Sequence, residues 1–437
     1  MPERTEPTPG RDPQRWRKHL EQAILPWWEE NGVDDETAGV FTCFDNAGTL
    51  LSQEKYTWSQ GRWAWMSAEL ATEAVAGRLS VDATRWADRA RRTARFLVDH
   101  AVLDDHRTAF RTDRTGHPIP DPRSGRLATS VFADLFVVLG LSGAIRCSDD
   151  ATEAGTWESV ALDILDAAER SIGSRTAATD PYPVPTGFRD LAGPMNLLHA
   201  ASELLRARYS ERAAGVRDRA RTALVGGSDD EGFLDHDRWW EFRPSSAQQM
   251  GSLLARHRTP GHLLELLWML IHSDLERGAR GEPAAAALPR DQLSRLAGRA
   301  LEIGWDAEYG GILRYSDHRG GQPTGRYLQA EPAPYEELVA QTWDTKLWWV
   351  HAEALYATAL LHDLGVPAMG AEADRIEDYT LRTFPDHDHG EWLQIRSRDG
   401  SPLDQVVALP VKDPMHIARS LILLNRLRAS SPKNGIR

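Results

Sequence analysis

The chain has 437 residues, and 51 lysines and arginines against 64 acidic residues give it a formal net charge of −13 at pH 7. This acidic balance argues against nucleic acid or an anionic membrane surface as the main partner. The most apolar stretch, residues 263–271, is too short for a bilayer, which needs about 20 apolar residues. With only two cysteines, Cys43 and Cys147, we expect no disulfide framework and a cytoplasmic location.

Helical patterns dominate the chain between two polar tails. Residues 1–12 and 431–437 lack an apolar period, and we expect both tails to be disordered. No linker interrupts 13–430, which we predict to be a single domain. Apolar residues at helical spacing predict helices over 86–103, 130–145, 157–172, 195–209, 263–275, 293–303, 348–364 and 416–427.

A second element recurs between the helices. It reads as a turn, a short strand, a second turn and a return strand, over 35–48, 306–320 and 386–400, with a weaker copy over 110–116. Helix and short hairpin in alternation indicate a closed or stacked array of helix pairs. The expected fold class is therefore all-α, with short β-hairpins between the helices.

Three proline-containing segments lead into apolar helical runs, at 193–196, 259–262 and 413–416. Proline is favoured at the first helical position, where its missing N–H would be unpaired anyway, and Thr259 and Asp413 are good N-cap residues. We therefore expect His262 and His416 in the first turns of two helices. The positive end of a helix disfavours an imidazolium, so we predict two neutral imidazoles, as abstraction of a proton from carbon requires.

Seven short segments, which follow one another in a fixed order along the chain, contain residues that could bind a substrate or take part in catalysis. They are GVFTC at 39–43, KYTWSQGR at 55–62, PGHLLE at 260–265, GWD at 304–306, KLWWVHAE at 346–353, GEW at 390–392 and KDPMHIAR at 412–419. With these motifs the chain resembles the N-acylglucosamine 2-epimerase family, which includes the renin-binding protein, cellobiose 2-epimerases and mannose isomerases. The resemblance runs over residues 15–428.

The resemblance implies an (α/α)6 barrel whose mouth is covered by short β-hairpins, with 13–430 as its single catalytic domain. It also implies that His262 and His416 are the acid/base pair. Arg62 and Glu265 would be further catalytic residues at the same site. Arginine is always charged and suits an oxyanion that develops at O1 of a sugar. Glu265 is one turn from His262 on the same helix face, where it would orient the imidazole or bind a hydroxyl.

Four residues are expected to bind the sugar itself. The resemblance places Trp349 and Glu353 in the pocket wall, and Asn196 where some relatives carry a third active-site histidine. Trp58 is one of several tryptophans beside polar motif residues, and aromatic faces suit the C–H faces of sugars.

Two roles stay open for Glu353. Glu353 is either a sugar ligand or the buried partner of Lys346 or Arg62.

The histidine-rich segment 386–389 falls in a turn without helical ligand spacing, so we expect no metal site. No glycine-rich phosphate loop is present, and we expect no cofactor.

These residues predict a cofactor-independent sugar 2-epimerase. The C2 proton of an aldose is acidic only in the open-chain form, and two bases on opposite faces of C2 explain inversion most simply. The expected substrate is a free reducing sugar of the N-acetylglucosamine/N-acetylmannosamine type. The expected partners are this small molecule, no nucleic acid and no membrane, and a homodimer stays open as the assembly.

Three alternatives remain at this point. An aldose–ketose isomerase of the same family, acting on mannose or a modified hexose, would return the proton to C1. Asn196 argues against the isomerases that have three active-site histidines. An (α/α)6 glycosidase would need two opposed carboxylates. A non-catalytic interaction protein would have no use for the pair His262 and His416.

Overall fold

The chain folds into a ring of helix pairs, the (α/α)6 barrel that the resemblance implies. The computed structural model describes residues 12, 14–121, 125–227, 232–282, 288–404 and 412–430. Apart from Asp12, the two tails expected to be disordered lie outside these residues. None of the described helices has both the length and the apolar character needed to cross a membrane.

The helices alternate between an inner and an outer layer. In chain order they are α1 (Arg15–His19), α2 (Leu25–Asn31), α3 (Thr57–Val75), α4 (Ala83–Phe96), α5 (Val131–Arg146), α6 (Ala151–Gly173), α7 (Ala192–Ala207), α8 (Glu211–Val225), α9 (Leu253–Arg256), α10 (Pro260–Ala279), α11 (Arg290–Gly304), α12 (Pro334–Thr342), α13 (Trp348–Asp363), α14 (Ala368–Thr383) and α15 (Met415–Ser430). Short π-helical segments, Leu20–Ile24 and Leu97–Ala101, join α1 to α2 and extend α4.

The inner layer consists of α3, α5, α7, α10, α13 and α15, each of which packs against the next, and α15 closes the ring on α3. The outer helices α4, α6, α8, α11 and α14 each cover the inner helix that precedes them, and α1 covers α15. Residues 133–145 of α5 are buried on every side, whereas α4 buries only the face that includes Trp86 and Ala90. A helix that is apolar all round belongs inside a protein, and an amphipathic helix belongs on its surface.

Glycine allows α3 and α5 to approach closely at the start of the barrel. A Cβ on Gly61 would lie 2.1 Å from the carbonyl oxygen of Phe136, and a Cβ on Gly140 would lie 2.8 Å from the carbonyl oxygen of Gly61. Any larger residue would force the helices apart. The close approach places the guanidinium of Arg62 4.0 Å from the centroid of the Phe136 ring.

Glu69 links four inner helices near their C-terminal ends. This fully buried carboxylate of α3 contacts Arg146 of α5 at 2.6 Å, Arg206 of α7 at 2.8 Å and Arg426 of α15 at 2.6 Å. A buried charge is tolerated when it is paired and hydrogen-bonded. The cluster lies at the end of α3 opposite to the one that carries Arg62.

The strands form short antiparallel pairs. They are β1 (Cys43–Phe44) with β2 (Leu50–Ser52), β3 (Lys55–Tyr56) with β4 (Arg111–Thr112), β5 (Phe188–Asp190) with β8 (Phe242–Pro244), β6 (Leu234–Asp235) with β7 (Arg238–Trp239), β9 (His257–Arg258) with β10 (Ser316–Asp317), and β11 (Lys346–Leu347) with β12 (Ile395–Arg396). Strands β3, β5, β9 and β11 each end just before an inner helix, so their pairing fixes where that helix begins.

The predicted local pairing is found in the first copy and as a single bridge in the copy at Asp386, and it is wrong for the copy at Asp306. Over 35–48 the chain leads into the local pair β1 and β2. In the copies that start at Asp306 and Asp386 a turn is closed by a single bridge, and the strand that follows pairs with β9 or β11. The copy at Asp386 also keeps a local return bridge, between Arg396 and Pro402. An isolated two-stranded hairpin is only marginally stable, whereas pairing with the segment ahead of an inner helix anchors both strands.

Candidate active site

A cavity of about 300 Å³ opens at the N-terminal ends of the inner helices. Every inner helix contributes to its wall from the first turns. These residues are Trp58 and Arg62 of α3, Phe132 and Phe136 of α5, Met195 and Asn196 of α7, His262 and Glu265 of α10, Trp348 and Trp349 of α13, and His416 of α15. The three helix starts singled out in the sequence therefore face one cavity.

Local sequence sets two of these helix starts as predicted and the third differently. Pro260 is the first residue of α10 and Thr259 is its N-cap residue. The Asp413 carboxylate accepts hydrogen bonds from the backbone N–H groups of Met415 at 3.3 Å and His416 at 3.0 Å. Helix α7, however, begins at Ala192, ahead of the predicted start at 195. The Asp190 carboxylate accepts the N–H of Gly193 at 2.9 Å and thereby caps the helix early.

His262 is anchored by a glutamate that the sequence did not reveal. Its Nδ1 lies 2.7 Å from Oε1 of Glu241, which is buried. An ionised carboxylate only accepts hydrogen bonds, so Nδ1 carries the proton and donates it. Nε2 has no partner among the residues that the structure describes, and it is the nitrogen left for a ligand in the cavity.

The direction expected for the pKa shift of His262 is wrong. Burial lowers the pKa of His262, but the charge of Glu241 and its hydrogen bond outweigh burial, and the pKa is raised above the ordinary value of 6.5. Glu265 and Asp190 add to this effect. The pKa of Glu241 is lowered in turn, because attraction to His262 exceeds the effect of its burial. A full negative charge in contact with the ring is stronger than the partial charge of a helix end.

A glutamate also anchors His416. Its Nδ1 lies 2.8 Å from Oε1 of Glu353, and its Nε2 lies 3.7 Å from Oδ2 of Asp413. The indole of Trp349 lies against both imidazoles, with ring centroids 5.0 Å from His262 and 6.0 Å from His416. Both histidines therefore line the cavity and have the indole of Trp349 as a common neighbour.

Glu353 is not in the cavity wall, which corrects its expected role as a sugar ligand. Its side chain is 1% exposed, and both oxygens are bound by protein donors. Oε1 accepts from His416 and from Arg419 at 2.6 Å, and Oε2 accepts from the indole N–H of Trp268 at 2.7 Å. The alternative partners considered for it are also wrong, because Lys346 pairs with Asp306 at 3.2 Å and Arg62 contacts Asp413 at 3.5 Å. Glu353 positions the imidazole of His416.

Arg419 occupies the space between three potential metal ligands. The ligand atoms of Glu265, Glu353 and His416 all lie within 4.8 Å of one another. Nη2 of Arg419 donates to Glu265 and to Glu353 at 2.6 Å each, and it lies 3.1 Å from Nδ1 of His416. The guanidinium already supplies the positive charge that these carboxylates need. Glu265 lines the cavity but is held by Arg419, so it does not orient His262 as one of its two expected roles required.

Arg62 reaches the cavity with most of its donors unused. It makes one long contact, 3.5 Å from Nη1 to Oδ1 of Asp413, and its Nε is buried without a hydrogen-bond partner among the described residues. The ring centroids of Phe136 and Trp58 lie 4.0 and 5.8 Å from the guanidinium carbon. Burial lowers the pKa of Arg62, but arginine stays charged in proteins. An oxyanion in the cavity would meet free N–H donors here.

The expected sugar-binding residues other than Glu353 do lie in the wall. Trp349, Asn196 and Trp58 all line the cavity. Nδ2 of Asn196 donates to the carbonyl of Ala192 at 2.9 Å, which fixes its orientation. The aromatic rings offer flat apolar faces beside charged groups, the combination that suits a sugar.

Sequence reasoning missed the wall residues that come from connecting segments. These are Tyr182, Arg314, Tyr315, Tyr335 and Leu338 in the wall, with Glu241 behind His262. One signal was present for Glu241, which stands alone between the aromatic residues Trp240 and Phe242. An acidic residue inside an apolar run is costly to bury unless it has a partner.

Comparison with known proteins agrees with this architecture. The model of the family described as N-acylglucosamine 2-epimerase (GlcNAc 2-epimerase) matches residues 39–418. The chain is 25% identical to the N-acylglucosamine 2-epimerase of Bos taurus over 414 residues, which cover 92% of this chain and 88% of the relative. It is 26% identical to that of Mus musculus over 431 residues, which cover 95% of this chain and 92% of the relative.

Solved structures share the same fold at lower identity. A cellobiose 2-epimerase from Bacillus thermoamylovorans superposes with a TM-score of 0.69 at 17% identity and covers 95% of this chain and 98% of its own. A D-mannose isomerase superposes with a TM-score of 0.68 at 16% identity and covers 94% and 97%. The family match includes both histidines, and on these grounds the chain belongs to the N-acylglucosamine 2-epimerase family and is a sugar epimerase or isomerase.

Proposed function

We propose that this enzyme is a cofactor-independent sugar 2-epimerase acting on the open-chain form of a free reducing sugar. The observation that carries the proposal is the pair of glutamate-anchored imidazoles, His262 and His416, beside one indole in one cavity. The names of the curated relatives support N-acetylglucosamine and N-acetylmannosamine as the first pair to test.

The proposed reaction moves one proton off C2 and one proton back. One imidazole takes the C2 proton through Nε2, and the C2–H bond electrons form the enolate with its charge on O1. The other imidazole then delivers a proton to the opposite face of C2, which inverts that carbon and restores the carbonyl. Glu241 and Glu353 hold the rings through Nδ1, so each ring presents Nε2 in both of its protonation states.

Arg62 is proposed to stabilise the enolate. Its N–H groups face the cavity with a single long protein contact, to Asp413. Donors that are already in place when charge develops stabilise a transition state without reorganising. The guanidinium therefore acts on O1, while the imidazoles act on C2.

The closest rival is an aldose–ketose isomerase, which returns the proton to C1. One observation favours the epimerase: Asn196 carries no titratable group, and its amide is held by the backbone. A glycosidase has less support, because the wall carboxylates Glu265 and Asp413 are paired with Arg419 and Arg62. A raised-pKa acid, which such an enzyme needs, is disfavoured by a neighbouring guanidinium.

The test is a panel of reducing sugars incubated in deuterium oxide and followed by NMR. An epimerase gives deuterium at C2 in an aldose product, whereas a ketose product assigns the isomerase. The variants His262→Ala and His416→Ala, purified identically, control for contaminating activity. Absence of C2 exchange with every sugar would overturn the proposal.

A further inference from the structure

Arg314 is a charged residue of the cavity wall that has no charged or hydrogen-bonding partner for its side chain among the described residues. The residue is 7% exposed and lines the same cavity as the two histidines. Its backbone N–H donates to the carbonyl of Thr345, and its guanidinium carbon lies 5.0 Å from the centroid of the neighbouring Tyr315 ring.

The other charged residues in this wall differ from Arg314 in this respect. Arg62 contacts Asp413, Glu265 is bound by Arg419, and Lys412 donates to Glu391 at 2.8 Å. His262 is paired with Glu241 in the same way. Each of these charges therefore has a partner within the protein, whereas the guanidinium of Arg314 has none among the described residues.

An unbalanced guanidinium at this depth is energetically unfavourable. Arginine cannot lose its proton in a protein, so burial cannot neutralise it. Removing a charge from water without a partner is costly. A ligand that brings an anionic group into the cavity would recover this cost, and Arg62 would still be free to serve the enolate.

Arg314 also comes from a different part of the fold than the reacting groups. His262, His416 and Arg62 lie on the first turns of inner helices, whereas Arg314 lies in the segment between α11 and β10. Tyr182 and Tyr335, which come from other connecting segments, line the cavity with it. This part of the wall is therefore built separately from the reacting groups.

We propose that the substrate is a reducing sugar with an anionic substituent away from C1 and C2, and that Arg314 binds this group. A carboxylate, a phosphate or a sulfonate has the required chemistry, since each accepts paired N–H donors from a guanidinium. The inference rests on the proposed function for the reacting end of the sugar, and it adds the identity of the other end.

The kinetic test compares neutral and anionic forms of the same sugars. N-acetylmannosamine and mannose are assayed beside their 6-phosphates and beside mannuronate, which separates a phosphate from a carboxylate. The variants are Arg314→Gln and Arg314→Lys, with Arg319→Gln as the matched control, because Arg319 is exposed and lies in the turn that follows β10 directly. For the preferred anionic sugar we expect Arg314→Gln to raise KM by about 10- to 100-fold, Arg314→Lys to raise it less, and Arg319→Gln to leave it unchanged.

Two kinetic outcomes would overturn the inference. One is a wild-type preference for neutral sugars that Arg314→Gln does not alter. The other is an equal fall in kcat for neutral and anionic sugars in Arg314→Gln, which would assign Arg314 to the reaction itself. A melting temperature of Arg314→Gln at or above that of wild type is expected, because the variant loses an unpaired buried charge.

A binding test separates this inference from the proposed function. Thermal stabilisation is measured with glucose 6-phosphate and glucuronate, with glucose as the neutral probe and inorganic phosphate as the bare anion. Stabilisation by an anionic sugar that is present in wild type and Arg319→Gln, and lost in Arg314→Gln, supports the site even if no sugar exchanges its C2 proton. Equal behaviour of wild type and Arg314→Gln toward all four probes would refute it, whatever reaction the enzyme catalyses.

Discussion

Glu241 and His262 are 21 residues apart in the chain, yet their carboxylate and imidazole meet at 2.7 Å behind the cavity wall. Strand β8 begins directly after Glu241 and pairs with β5, whereas β9, just before α10, pairs with β10. These two strand pairs bring the carboxylate to the first turn of α10. The second histidine, His416, has its own glutamate on a different helix, so the two bases are oriented independently.

The acid limb of the pH–rate profile should report His262. A histidine acts as a base only when neutral, so a raised pKa of His262 means that activity is lost as pH falls through a value above 6.5. Glu241→Gln removes the first of the groups that raise this pKa and leaves burial, which lowers it. We therefore expect the acid limb of kcat/KM to move to lower pH in Glu241→Gln, with a reduced maximum. An unmoved limb in that variant would show that another group sets it.

Removal of His262 and removal of His416 should affect different halves of the reaction. His262→Ala and His416→Ala should each abolish net epimerisation, since a general acid–base group is typically worth about 10²–10⁴-fold. If each base serves one face of C2, one variant will still exchange the C2 proton of one epimer with deuterium. The measurement is NMR of each pure epimer in deuterium oxide. Near-normal turnover by His416→Ala would contradict its assigned role.

Arg62→Gln should lower kcat more than it raises KM. Its donors would act on charge that develops during the reaction, and loss of one such donor typically costs about 10²–10³-fold in kcat. The fold should survive, because Arg62 makes a single 3.5 Å contact with Asp413 and that carboxylate keeps its bonds to the start of α15. Steady-state kinetics on the active sugar tests this, with the exposed Arg107→Gln as the charge-matched control. A KM effect with unchanged kcat would instead assign Arg62 to ground-state binding.

Glu69→Gln should destabilise the barrel without touching the cavity. The substitution leaves Arg146, Arg206 and Arg426 around a neutral amide, and breaking a buried ion pair costs about 3–5 kcal/mol. Chemical denaturation gives the free energy of unfolding. The control is Glu153→Gln, whose partner Arg95 is about half exposed and whose loss should cost at most about 1 kcal/mol. Equal losses in both variants would show that Glu69 does not hold the inner helices together.

The sequence by itself determined the class of the fold and the centre of the site. Apolar periods, prolines and N-cap residues are local signals, and they act within a few residues of where they are read. They were sufficient to place His262 and His416 in first turns, because Pro260 and Asp413 direct the chain into a helix at those points. Helix α3 was missed, because its buried positions include polar residues such as Gln60 and Glu69, which interrupt the apolar pattern.

Only the tertiary structure decided which charges meet. Glu353 was expected in the cavity and lies behind His416, and Arg419 bridges it to Glu265 from another helix. The pKa of His262 rises instead of falling because Glu241 arrives from a segment that no local pattern connects to α10. Arg314 has no charged partner within the described ranges for the same kind of reason. Coulomb energy depends on distances in space, and pairing between segments far apart in the chain sets those distances.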